Sequence, residues 1–168
     1  MKQFKTLLLA TVLCIGTLSF TQAQSKVAHI NTQELISAMP EMKAAQTELE
    51  ALSKTYQTDF QAMGTEYQNT VKQYEAEVNT KTAEENQKRA LELQEKQQRI
   101  QQFQADAQQD LGKKQEELIK PISEKAKAAI LKVGRAQGFD YVLDSSVGVT
   151  ILTDGKNLLD DVKKELGI

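Results

Sequence analysis

From Leu49 to Val78 the apolar residues fall at Leu49, Leu52, Tyr56, Phe60, Met63, Tyr67, Val71, Tyr74 and Val78, with spacings of 3, 4, 4, 3, 4, 4, 3 and 4. That is an 11-residue repeat, about 3.67 residues per turn, close to the period of a straight helix. It predicts one long helix from Glu41 to about Asn79, paired in a nearly straight or slightly right-handed way. Ala45 leads into the stripe, and Gly64 is the only glycine or proline inside it. The stripe is narrow and glutamine-rich polar residues fill the rest. Such a helix needs one partner and cannot be buried on all sides.

The partner follows in the chain. Asn79-Thr80-Lys81-Thr82 reads as a turn, and Thr82 with Glu85 has the pattern of a capping box. A second helix is predicted from there to about Gln137, where Gly138 is the residue favoured just past a helix end. Its stripe runs through Leu93, Ile100, Phe103, Ala107, Leu111 and Leu118, then becomes richer in Ala, Ile and Val from Ile122 to Val133. Pro121 lies inside it, and an interior proline removes a backbone bond and kinks or breaks a helix. The first helix and the stretch from Thr82 to Lys120 each span ~58 Å at 1.5 Å per residue. The two arms therefore match as far as Pro121, which reads as the joint between arm and base.

The flanks change period. Lys26-Val27-Ala28-His29-Ile30 is a short β-prone segment, and Asn31 with Glu34 starts a short helix through about Met39. Pro40 then marks a break. After Gly138, Phe139–Asp144 and Val147–Leu152 read as two strands joined by Ser145-Ser146, and Thr153–Lys156 as a turn. Asn157 can cap a last helix through Leu166. Three short strands make a thin core with exposed edges. Closing those edges by symmetric assembly is the simplest remedy.

The first residues add a destination. Met1–Lys5 carries two lysines, an apolar run follows from Thr6 to Phe20, and Thr21 and Ala23 are small. These are the parts of a secretory signal peptide cut after Ala23. The run falls short of the roughly 20 residues of a spanning helix, and Cys14 ends no lipoprotein box. Cleavage removes the only cysteine, which excludes disulfides, thiol catalysis and cysteine-bound metal from the mature chain. Of 21 basic residues, Lys2 and Lys5 are lost, leaving 19 against 23 acids, a net charge of −4. That balance gives no support to nucleic-acid binding, which rests on Lys and Arg neutralising phosphates.

The opening Lys26-Val27-Ala28-His29-Ile30-Asn31, the long hairpin and the closing Gly138-Phe139-Asp140-Tyr141-Val142-Leu143-Asp144 together resemble the Skp/OmpH-like family of outer membrane protein chaperones. The resemblance covers essentially the whole mature chain and is most specific in the two base segments. It implies a mostly α fold with a small β base, a long antiparallel helical hairpin (a tentacle) on a trimeric β-barrel body. Residues 1–23 are then the signal peptide and 24–168 one domain, with 24–40 and 121–168 the oligomerising body and 41–120 the arm. It further implies a periplasmic, ATP-independent holdase with no cofactor, whose partners are unfolded outer membrane β-barrel proteins and its own copies. The best-known members are strongly basic. Here residues 41–120 hold 15 acids and 11 bases, which argues against lipopolysaccharide or anionic-lipid contact and for cavity enclosure with many weak contacts.

Within that frame, Val27, Ile30, Tyr141, Leu143, Val149 and Ile151 are the candidate strand residues of the trimeric body. Gly64, which weakens a helix by roughly 1 kcal/mol relative to Ala, and Pro121 are the candidate hinges. Tyr56, Phe60, Met63, Tyr67, Tyr74 and Phe103 are candidate client contacts, although filling the seam between the helices is their simpler role. A lone His29 in a strand is a packed or surface residue before it is a ligand. Asp140 and Asp144, without a pocket or basic partner, are weak ground for acid–base chemistry. An enzyme is disfavoured by the absence of mature cysteine and of a Gly-rich phosphate loop. The remaining alternative is an envelope spacer or adaptor that docks another coiled coil without binding clients.

Overall fold

The computed structural model describes residues 25–146, 148, 150 and 153–168. Strand β1 (Val27–Ile30) leads into helix α1 (Thr32–Ala38), then into the long helix α2 (Pro40–Glu77). A 3-10 turn, Val78–Thr80, connects to α3 (Ala83–Ala136), followed by β2 (Tyr141–Asp144), β3 (Lys156–Asn157) and α4 (Leu159–Leu166). The predicted signal peptide lies outside the described residues.

Local chemistry sets most of these boundaries. Asn31 Oδ1 accepts from Glu34 N at 2.9 Å and starts α1. Pro40 occupies the first turn of α2, where its missing N–H leaves nothing unpaired. Thr82 and Glu85 close a full capping box on α3: Thr82 N donates to Glu85 Oε2 at 2.8 Å, and Glu85 N donates to Thr82 Oγ1 at 3.2 Å. At the other end Gly138 adopts φ 71°, and Phe139 N reaches back to Gly134 O at 3.0 Å. A side chain in that left-handed conformation is costly, so glycine fits there. Asn157 Oδ1 accepts from Leu159 N at 2.9 Å and opens α4.

Helix α3 is continuous across Pro121, so the chain does not break there. Pro121 itself is exposed. Immediately beyond it, buried Ile122, Ala126, Ala129, Val133 and Gly134 dock the end of α3 on the base.

The sheet differs from the expected arrangement. Its order is β2-β1-β3, and β1 pairs parallel with both neighbours. Val27 stands opposite Tyr141 and His29 opposite Leu143, while Ala28 and His29 face Lys156 and Asn157. The third strand thus falls on Lys156, which the sequence reading placed in a turn. Gly155 at φ 122° brings this segment against the Val27 carbonyl, and pairing with a distant strand overrides the local turn preference. Val147, Val149, Ile151 and Leu152 of the other expected strand lie outside the described residues. Two of them, Val149 and Ile151, were candidate body residues.

The core gathers at this end of the molecule. Ala28, Ile30, Leu35, Met39, Ala45, Ile122, Ala126, Ala129, Val133, Leu158, Leu159 and Val162 form one buried cluster. Gly134 sits where helix and sheet approach most closely: a Cβ there would lie 2.9 Å from Val142 Cγ2.

Candidate functional site

Beyond the core, α2 and α3 run side by side in opposite directions, and polar links cross between them. Glu41 pairs with Lys125, and Glu48 with Lys114 at 2.7 Å. Tyr56 donates its hydroxyl to Asp110 at 2.5 Å, and Glu66 pairs with Lys96 at 2.5 Å. Tyr74 donates to Glu92 at 2.5 Å, and Arg89 pairs with Glu77 while lying 4.5 Å over the Tyr74 ring. Partner numbers on α3 fall as those on α2 rise, which is the antiparallel register.

The charges follow from these contacts. Hydrogen bonds from Lys125, Lys96 and Arg89 hold Glu41, Glu66 and Glu77 below the usual carboxylate range. Hydrogen bonds to Asp110 and Glu92 push the Tyr56 and Tyr74 hydroxyls above theirs.

The seam beneath is thin. Between residues 46 and 121, all of them described, no side chain is buried. Tyr56, Met63, Tyr67, Tyr74 and Phe103 are half-buried, and Phe60 is exposed. Tyr56 and Phe103 meet edge to face, with ring centroids 5.9 Å apart and planes at 73°. The candidate client contacts therefore lie along one seam, where they serve first as its packing. No atom among the described residues lies within 4 Å of a Cβ added to Gly64, so space does not require glycine there.

A second surface is the outer face of the sheet. The candidate body residues divide between its two sides. Ile30 turns into the core, as its neighbour Ala28 does, whereas Val27, Tyr141 and Leu143 are 39%, 59% and 46% exposed. His29 stands beside them, its Nδ1 3.0 Å from Ser145 Oγ. Three large apolar side chains on one open face of a small sheet form the kind of patch that marks an interaction surface.

One cluster went unrecognised in the sequence. The Asp144 carboxylate accepts from Thr32 Oγ1 and Ser146 Oγ, each at 2.6 Å, from Ser146 N at 2.9 Å and from Thr32 N at 3.3 Å. Partial burial pushes its pKa up, but the hydrogen bonds from Ser146 and Thr32 outweigh it and lower the value to about 2. The carboxylate ties the end of β2 to the first turn of α1. Only the run Asp144-Ser145-Ser146 hinted at it, and Thr32 is 112 residues away. Among the described residues, no group of three or more His, Cys, Asp or Glu is placed to hold a metal. Among them, too, no helix is long and apolar enough to cross a membrane.

A small parallel sheet with two long helices projecting from it is a fold already seen in a solved structure. It is similar to a candidate outer membrane chaperone (OmpH-like) from Caulobacter crescentus CB15, with a TM-score of 0.75 and 18% sequence identity. The match covers 86% of this chain and 85% of that one. The family profile of outer membrane proteins (OmpH-like) matches residues 26–166. The chain belongs to the OmpH-like family, in agreement with the resemblance in its base segments. A search of curated proteins found no match.

Proposed function

We propose that this chain is an ATP-independent periplasmic holdase, exported by a signal peptide cut after Ala23. It encloses unfolded outer membrane β-barrel proteins between helical arms and keeps them from aggregating before insertion. Three copies close their open sheet faces into one small barrel through Val27, Tyr141 and Leu143, and the hairpins of residues 41–120 surround the cavity. The observation that carries this reading is the division of burial. All buried residues among those described lie at or before Ala45 and at or after Ile122, and the arm between residues 46 and 121 has none.

An arm of that kind has no fixed interior to lose when it bends. Gly64 and Pro121 are the places where bending costs least, the first by helix propensity and the second by its missing bond. Tyr56, Phe60, Met63, Tyr67, Tyr74 and Phe103 then offer weak, repeated apolar contacts that accumulate through multivalency. The work requires no catalytic group, metal or cofactor. The similarity to the OmpH-like chaperone of Caulobacter crescentus supports the chaperone role.

The test mixes the mature protein with a urea-diluted outer membrane β-barrel protein and follows light scattering. Aggregation should be suppressed at a small molar excess of trimer. Unchanged aggregation would sink the holdase reading and leave the adaptor role. A stretch of exported chain that binds a single folded coiled-coil partner instead would point the same way.

A further inference from the structure

His29 has no part in the function proposed above. It is the only histidine of the chain, and it lies in the middle strand of the sheet, facing outward. Val27 is its outward neighbour on β1, Leu143 stands opposite on β2, and Tyr141 completes the patch. On the other side it is in register with Asn157 of β3. Its imidazole is half-buried already and touches Ser145 Oγ at 3.0 Å.

The charged groups nearest in the fold are engaged elsewhere. The Asp144 carboxylate turns to Thr32 and Ser146. Asp140 accepts from the Lys26 backbone at 2.8 Å, and Lys26 Nζ lies over the Phe139 ring. Lys156, on β3, pairs with Asp161 at 3.0 Å. No carboxylate among the described residues is directed at the imidazole to balance a positive charge.

We infer that His29 makes assembly of this protein through its sheet face sensitive to mild acid, with protonation of the imidazole releasing the copies from one another. The inference rests on the proposed closure of the sheet faces. In that closure a neutral imidazole is covered among Val27, Tyr141 and Leu143, where an uncompensated charge is expensive. In a cyclic assembly each His29 also approaches the same axis as its copies, so the charges repel. Histidine takes up its proton between pH 5 and 8 in ordinary surroundings. A charge on the imidazole is harder to keep in the closed assembly than in the separated protomer, so acid favours separation. A penalty of about fivefold per imidazole at pH 5.5, compounded over three copies, weakens assembly by about two orders of magnitude.

The experiment measures mass by light scattering and sedimentation across protein concentration at pH 8 and pH 5.5, for the mature chain and for His29→Gln and His29→Phe. Helicity by circular dichroism is followed in each sample. The mature chain should be assembled at pH 8 and should need about tenfold higher concentration to assemble at pH 5.5, the square root of a change of about 100-fold in a trimer's dissociation constant, with helicity retained. Both variants should stay assembled at pH 5.5. Assembly that is equal at the two pH values, or variants that dissociate as the parent does, would overturn the role of His29. A monomer at pH 8 would overturn the closure of the sheet faces itself, a distinct result. Glu41, Glu66, Glu77 and Asp144 are all held below the usual carboxylate range, so they keep their charge at pH 5.5 and do not imitate the effect.

Discussion

Asp144 shows how much one side chain carries where chain segments far apart in sequence must meet. Its carboxylate is held at about pKa 2 against an ordinary 3.8 because Ser146 and Thr32 donate to it. A group whose folded value is depressed stabilises the fold above its unfolded value, and the benefit fades as pH falls through the folded one. Asp144→Asn should therefore cost about 1–2 kcal/mol in urea unfolding at pH 7. The difference should shrink from about pH 4 downward and be nearly gone by about pH 2. A constant gap between parent and variant across that range would show that the carboxylate's charge is not what matters. Gly134 is a second such position. Its role was hidden in the sequence because a glycine inside a helical pattern says nothing about which strand lies against it. Only the 2.9 Å approach of Val142 gives it meaning.

The helices were legible and the sheet only partly so, for one physical reason. Helix starts and stops are written within four residues: Asn31 to Glu34, Thr82 to Glu85, Gly138 past the end of α3. Strand register is written across more than 110 residues, Val27 to Tyr141, and no local pattern encodes parallel pairing. The 3-4 spacing of the seam identified which residues meet, whereas the links Tyr56–Asp110 and Tyr74–Glu92 needed the register of two helices at once. Gly64 offers the clearest test among these elements. It has ordinary helical backbone, since the positive-φ glycines are Gly138, Gly148, Gly155 and Gly167, and a methyl group there meets open space. Gly64→Ala should stabilise α2 by up to ~1 kcal/mol and slow amide exchange in the surrounding turns. If bending at Gly64 lets the arm adjust to clients, suppression of aggregation should weaken for the largest of them. Exchange that stays the same or quickens would rule the hinge out.

The protomer as a whole is unevenly finished. Its helix-facing side of the sheet is closed, and its outer side displays Val27, Tyr141 and Leu143. Alternation along β1 and β2 made that legible as two faces, but not which face each residue takes, because both faces carry apolar residues: Val27, Tyr141 and Leu143 on one, Ala28, Ile30 and Val142 on the other. Leu143→Asp places a carboxylate in the centre of the outer patch and leaves the core untouched. It should give a folded, helical monomer by light scattering at concentrations where the parent forms the proposed trimer. Retention of the parental mass would mean that assembly uses another surface.

The parallel pairing of β1 with β2 also dictates an order of events as the chain folds. β1 precedes its partner by more than 110 residues, so the sheet cannot close around it until residues 141–144 have been made. Closing so long a loop in a flexible chain is entropically costly, but α2 and α3 can form and align as soon as the turn at Val78–Thr80 is through, which carries the two ends of the loop toward each other. The long helices thus act as a clamp for their own base. Shortening both by matched lengths at the turn should leave that sheet intact, while shortening only one would leave its strands unable to meet.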